Sequence, residues 1–477
     1  MIELIVIVIY FLGMITVGLV SRRQAKKADD FFVAGRQGST LFITGSLLAT
    51  IIGGSAIMVT TSRGFTWGLT GVWWLLVGSI GLVVLGIFLA RKVRKFGLYT
   101  LPELVKEQYD GRVAMAASIL IVIAWTGVVA AQIIAAGKIM AILGLGSPTL
   151  WMVVITAVFI AYTVLGGQHA IIRTDSLQAV IIFAGVFGVL ALLLSRFGGL
   201  GGLWDSLPSE RLSFPISPQF GTYDLVSLLL LVGLTYVVGP DMYSRLFCAR
   251  DGRVARSSAL WTALLIIPFA LAITVIGVGA SAMYPQITPD QAFPMVIKDM
   301  LPPFLGGLVL AALLCAFMSS ADTTLLSAST ILTVDVVARC WPAIHQKKTL
   351  SLTRYGVVLL GAISLFVALF VHGDIYDAIF FAYSIFTAGV ILPVIASFYK
   401  NKLKVTSLGA LVAVIGGGGT ALISKLPAVM DVSRVPVIGI LAGIQYLDLW
   451  ALAVSAVLLF AVSFIENGLK HRRLTLD

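Results

Sequence analysis

The chain has 477 residues, of which 59% are hydrophobic and only 12% charged, with a mean hydropathy of +1.02. A soluble globular domain carries about 25% charged residues, so that class is excluded and an all-α integral membrane protein is expected. The net charge of +11 would suggest a nucleic-acid partner in a soluble chain, but here the basic residues stand in short clusters between apolar runs. That pattern fits a lipid bilayer as the partner and excludes nucleic acid, because membrane proteins concentrate Lys and Arg in their cytoplasmic loops.

Apolar stretches of the roughly 17 to 25 residues needed to span a bilayer fall near 3–20, 41–66, 69–90, 113–143, 149–166, 174–195, 223–247, 258–284, 304–336, 353–371, 376–398, 407–423 and 448–465. The expectation is thirteen transmembrane helices in one integral domain covering 1–477, without a soluble appendage. The first stretch is followed by Arg22, Arg23, Lys26 and Lys27 rather than preceded by basic residues, which reads as a spanning helix and not as a cleaved signal peptide. Placing the N-terminus outside puts the further clusters at Arg91–Lys95, Arg250–Arg256, Arg339–Arg354, Lys400–Lys404 and Lys470–Arg473 on one face. The expected protein is a multi-pass cell-membrane protein with its C-terminus cytoplasmic.

Taken in chain order, two of these segments are interrupted. Ile51-Ile52-Gly53-Gly54-Ser55 breaks the second and Gly239-Pro240-Asp241 breaks the seventh, five spans later. Matched Gly or Pro breaks in two halves of a membrane protein point to an inverted-repeat transporter, whose broken helices turn carbonyls and half-helix ends toward substrate and ion. Gly416 to Gly419 has no ionic residue beside it and reads as a close helix contact or a bend. In the ninth segment, Ser319, Asp322 and Thr323 stand at i, i+3 and i+4, so one helix face carries hydroxyl and carboxylate oxygens, the ligands of hard cations. Hydroxyls alone often bond back to the preceding helical turn. A carboxylate at mid-membrane costs at least about 2.5 to 3.5 kcal/mol on insertion scales, so Asp322 implies a partner or an ion. Nothing in the chain pairs a nucleophile with a base or clusters metal ligands, so an enzyme is not expected.

Four further motifs carry a family resemblance. They are Phe31-Phe32-Val33-Ala34-Gly35-Arg36, Tyr99-Thr100-Leu101-Pro102-Glu103, Gly166-Gly167 followed by Thr174-Asp175-Ser176-Leu177-Gln178, and Ser319-Ser320 followed by Ser329-Thr330-Ile331-Leu332-Thr333-Val334-Asp335. With them the chain resembles the sodium:solute symporters, which include the bacterial proline, pantothenate, sugar and sialic acid carriers. The resemblance implies a LeuT-type inverted repeat of two five-helix units, over 41–195 and 223–398, preceded by the helix of 3–20 and followed by two peripheral helices over 407–465. It also implies Na+ as coupling ion, held by carbonyl oxygens of Ala49, Ile52 and Ala316 and by hydroxyls of Ser319 and Ser320. Asp175, Asp322 and Thr323 fall where the family places a second coupling site, and whether that site would take a cation or a proton stays open.

Substrate contacts implied by the resemblance are Gly53, Ser55 and Ala56, then Trp125 and Gln132, then Tyr236, Pro240 and Asp241. Trp125 reads equally as core packing and Gln132 as an interhelical hydrogen bond. Arg245 reads as an anchor for the cytoplasmic end of its helix. The spacing from Tyr236 to Pro240 resembles the proline carriers, but Val232 stands where they have a tryptophan, and Ala56 stands where the sugar carriers have glutamine. The solute is therefore expected to be a small polar molecule of the amino acid, monocarboxylate, sugar or vitamin class, with no obligatory protein partner. The expected function is sodium-coupled import by alternating access, against a proton-coupled carrier of the same fold, or a solute-gated channel or receptor.

Overall fold

The computed structural model describes residues 28–142, 144, 146–341, 346–370, 375–425 and 447–474, with scattered positions among the first twenty. The expected helix of 3–20, the basic cluster after it and the loop near 424–447 lie largely or wholly outside the described residues. The described chain is almost entirely helical, and ten of its helices are long and apolar enough to cross a membrane. The expected count of thirteen is not established by these residues.

Two of the ten runs are too long to be single spans. Gly54–Phe96 has 43 residues and Pro148–Arg196 has 49, whereas about 20 cross the hydrocarbon core. The second run folds back at Gly167, whose φ of 53° and ψ of −153° leave the helical region. Tyr162 and Thr174 would lie about 18 Å apart along a straight helix, yet their hydroxyls are 2.5 Å apart. Glycine is required at the fold-back for space as well, because a Cβ on Gly167 would meet the Phe31 ring at 2.5 Å. The Phe31-Phe32 and Gly166-Gly167 motifs are therefore one packing contact. The first run turns at 68–72, where Gly71 packs on the backbone of Arg63 and Gly64.

The helices that build the interior are α1 (Thr40–Ile51), α2 (Gly54–Trp67), α3 (Trp73–Val84), α4 (Gly111–Ile142), α5 (Pro148–Arg196), α6 (Leu234–Val238), α7 (Pro240–Cys248), α8 (Gly252–Met283), α9 (Pro303–Ile331), α10 (Gln346–Phe370) and α11 (Ile375–Phe386). Outside them lie α12 (Ser407–Lys425) and α13 (Leu447–Leu474), which pack chiefly on each other. The four glycines of 416–419 stay helical, and a Cβ on Gly417 would fall 2.2 Å from the Ala388 carbonyl oxygen, so this run is a close helix contact. At the centre, α9 packs against α5, α4, α2 and α1. Its Ser319, Ser320, Asp322, Thr323 and Thr324 are at most 3% exposed, so the carboxylate and hydroxyls expected on one face are enclosed by protein.

Candidate cation and solute site

Each of the two breaks has a local cause. α1 ends at Ile52, whose N–H still bonds to the Leu48 carbonyl at 2.9 Å, and Gly53 then turns to a ψ of 165°. A helix end leaves its last carbonyls without helical partners. One of them, that of Thr50, accepts the Ser320 hydroxyl at 2.8 Å. The glycine pair is dictated by proximity: a Cβ on Gly53 would lie 1.8 Å from Ser320 Oγ and 3.2 Å from the Ala316 oxygen, and one on Gly54 would strike the Phe317 ring. The break falls after the twelve residues of α1 and before the fourteen of α2, near the middle of a spanning path. At the other break the Gly239 N–H bonds to Thr235 O at 2.6 Å, and α7 begins with Pro240. Proline at the first helical position lacks only an N–H that would have no helical partner.

Ala49, Ile52, Ala316, Ser319 and Ser320 thus come together where α1 ends against α9, and all are buried. The hydroxyls of α9 divide into two groups. Thr324 and Thr330 bond back to Ser320 O and Leu326 O at 2.7 and 2.8 Å, spending their donors inside the helix. Ser319, Ser320 and Thr323 do not. Ser319 Oγ donates to Asp175 Oδ1 at 2.6 Å, Ser320 reaches α1, and Thr323 Oγ1 lies 3.2 Å from Asp322 Oδ1. Asp322 Oδ2 accepts no hydrogen bond from the described residues.

Asp175, Asp322 and Thr323 are brought into one cluster, and Arg245 joins them. Arg245, expected to anchor the cytoplasmic end of its helix, does lie in the last turn of α7, but it is buried and paired with a carboxylate instead of standing at the interface. Its side chain is 0% exposed and is ion-paired with Asp175, also 0% exposed, at 3.2 Å. The cause is the short α7: with α7 restarting at Pro240, Arg245 lies less than two turns past the break and turns inward against α1, α5 and α9. Its Nε donates to Ser46 Oγ at 3.1 Å and its Nη2 to Thr50 Oγ1 at 3.0 Å, to Asp175 and to Thr323 Oγ1. Ser46 in turn donates to Asp175 Oδ2 at 2.5 Å. Two buried charges taken from water need this degree of saturation, since a buried ion pair repays its desolvation only when its remaining donors and acceptors are satisfied. Sequence reasoning missed Ser46 and Thr50; the available signal was a polar pair at i, i+4 in the second half of α1, on the face that carries Gly53.

Between the breaks lies a cavity of about 30 Å³ lined by Gly53, Ser55, Ala56, Trp74, Gln132, Tyr236, Asp241, Ser320, Thr324 and Tyr383, among others. That is space for one or two water molecules. Gln132 holds the start of α2, with Nε2 donating to Ser55 Oγ at 2.6 Å and Oε1 accepting the Ser55 N–H at 3.2 Å. It makes the interhelical bond expected of it and also lines the cavity. Tyr383, on α11, lines the same cavity as Tyr236 and was not anticipated. Trp125 lies outside the lining, packed edge-on against Phe386 with ring centroids 4.7 Å apart. Pro240 lines a separate, smaller cavity toward Tyr99, Thr100 and Gln168.

Polar and cation–π contacts join chain segments toward both ends of the bundle. On the face of the basic clusters, Thr100 Oγ1 donates to Asp335 Oδ2 at 2.6 Å and Arg339 pairs with Asp335 at 3.0 Å. On the opposite face, the Arg63 guanidinium lies 3.9 Å over the Tyr376 ring, and Lys138 pairs with Asp290 at 2.9 Å.

Comparison with known proteins agrees with this geometry. Residues 31–417 match the sodium:solute symporter family. The chain is 24% identical to the Danio rerio sodium/glucose cotransporter 4, with 76% of the chain matched but only 62% of that relative's length spanned. It is 23% identical to the osmoregulated proline transporter OpuE of Bacillus subtilis, over 91% of the chain and 92% of that protein. A solved Na+-coupled sialic acid symporter, in its substrate-bound outward-open state, superposes with a TM-score of 0.82 over 98% of both chains at 16% identity, which shows a shared LeuT-type fold. The chain belongs to the sodium:solute symporter family, a multi-pass membrane transporter of small solutes with sodium as its coupling ion.

Proposed function

We propose that the chain imports a small polar organic solute together with sodium by alternating access. The sodium ion would lie among the carbonyls of Ala49, Ile52 and Ala316 and the hydroxyls of Ser319 and Ser320. The observation that carries this reading is the meeting, at the Gly53 contact, of a helix end whose last carbonyls lack helical partners with the Ser320 hydroxyl and the Ala316 carbonyl of α9. These oxygens bear no formal charge, so they would hold a monovalent ion loosely enough to release it. A second cation site would draw on Asp175, Asp322 and Thr323. Two five-helix repeats over 41–195 and 223–398 would supply the two breaks, in a single transporter domain over 1–477 with the helix of 3–20 ahead of the repeats and peripheral helices over 407–465.

Solute would occupy the cavity bounded by Gly53, Ser55, Ala56, Gln132, Tyr236 and Asp241, with Trp125 and Pro240 as neighbours of that pocket. At about 30 Å³ the cavity is far too small for an amino acid or a sugar, so loading requires the helices to separate. The contacts at Asp335 and at Arg63 are the ones that would open in turn. The relatives' names, glucose for one and proline for another, share small size and polarity and no single functional group. The basic face would be cytoplasmic in the plasma membrane, with the N-terminus outside. Asp322 Oδ2, which has no donor among the described residues, is the observation that favours a proton in the coupling.

The test is uptake into proteoliposomes, screening labelled amino acids, monocarboxylates, sugars and vitamins under an imposed sodium gradient. Accumulation that collapses without inward sodium supports the reading. Accumulation driven by a proton gradient in sodium-free buffer assigns the coupling to Asp322 instead, and solute flux that only follows its own gradient makes the protein a channel.

A further inference from the structure

We infer that the Arg245 guanidinium is itself the occupant of the second cation site, a cation fixed to the chain, so that one mobile sodium accompanies each solute. The inference rests on the proposed sodium site and concerns the oxygens beside it. A second sodium on α5 and α9 would need the Asp175 carboxylate and the Thr323 hydroxyl, completed by oxygens of α1. Arg245 already takes these atoms: Asp175 Oδ2 at 3.2 Å, Thr323 Oγ1, Thr50 Oγ1 at 3.0 Å and Ser46 Oγ at 3.1 Å. A guanidinium has donors only, so oxygens from three other helices converge on it as they would on a metal ion, and the same lone pairs cannot serve both.

Arg245 also meets the Asp175 carboxylate as a direct, fully buried ion pair at 3.2 Å, so the charge a second cation would seek is already paired. Arginine suits the role because it stays protonated at all working pH values and is weakly hydrated for a cation.

Sodium alone is a sufficient probe. Purified protein in lipid nanodiscs should bind one 22Na+ per chain at saturation, with a Hill coefficient near one. Arg245→Ala should bind two, and millimolar guanidinium chloride should displace the second ion from that variant without displacing the first. A wild-type count of two, or a count of one in folded Arg245→Ala, overturns the inference while leaving sodium coupling intact. A wild-type count of zero instead removes the sodium site on which it rests. If Arg245→Ala cannot be recovered folded, Arg245→Gln combined with Asp175→Asn removes both charges together; it should bind one sodium, and two would overturn the inference.

Discussion

At the break between α1 and α2 the backbone lies so near α9 that no side chain fits, with a Gly53 Cβ only 1.8 Å from Ser320 Oγ. At the break between α6 and α7 the helix restarts at a proline, and Gly239 keeps a φ of −49° that any residue adopts. The first break is therefore made by contact with another helix and the second largely by its own sequence. The difference teaches where each can be disturbed: the first transmits any change straight to the oxygens of Ser320 and Ala316, while the second acts at a distance, through what α7 carries. What it carries is Arg245, whose bonds to Ser46 and Thr50 on α1 tie the two breaks together.

Separating that tie should give the largest effect. Asp175→Asn leaves Arg245 buried without its carboxylate, and breaking one side of a buried pair costs about 3 to 5 kcal/mol. The thermal midpoint in detergent should fall sharply, and the combination with Arg245→Gln should recover much of it. An Asp175→Asn protein as stable as wild type would show that the two breaks are not joined here.

Next comes the contact at the first break. Gly53→Ala forces α1 away from α9, an overpacking worth about 1 to 3 kcal/mol, and sodium affinity should drop about ten-fold or more by the same energy. Gly239→Ala, whose Cβ would meet its own chain at Thr235 O (2.7 Å) and Asp241 Oδ1 (2.9 Å) and not α9, should cost less sodium affinity. Equal losses in sodium titrations of the two variants would erase the distinction between the breaks.

Tyr236 lies one turn before the second break on the cavity wall. Tyr236→Ala should raise the solute concentration for half-maximal uptake roughly ten-fold, the effect of losing about 1.4 kcal/mol of hydrogen bonding and packing. Sodium binding without solute should hardly change. An unaltered half-maximal concentration in correctly inserted protein would move the pocket off this helix.

The smallest effect expected is at the hydroxyls. Ser320→Ala and Ser319→Ala should each weaken sodium binding by a few-fold to about ten-fold, since one neutral hydrogen-bonding group is worth about 0.5 to 1.5 kcal/mol. Thr324→Ala, whose hydroxyl is spent on Ser320 O, should not. Sodium titrations that fail to separate Thr324 from the two serines would remove α9 from the site.

The helical membrane architecture, both breaks and the polar face of α9 were legible in the sequence, because each depends on local chemistry. Hydrophobic runs must bury their own backbone hydrogen bonds in lipid, glycine and proline interrupt them, and residues at i, i+3 and i+4 share a face wherever the helix packs. The fold-back at Gly167 was legible too, as the gap between two apolar stretches. Only the tertiary structure decided the partners. Whether Ser319 bonds within its helix or to Asp175 depends on a chain segment 144 residues away. Arg245 shows the limit most plainly: in sequence a basic residue near a helix end is an ordinary interfacial anchor, and its burial follows from the short α7 and from hydroxyls of α1 that lie 195 to 199 residues earlier. Charge and hydropathy say that a buried guanidinium needs partners, but not which helices bring them, because that is fixed by long-range packing.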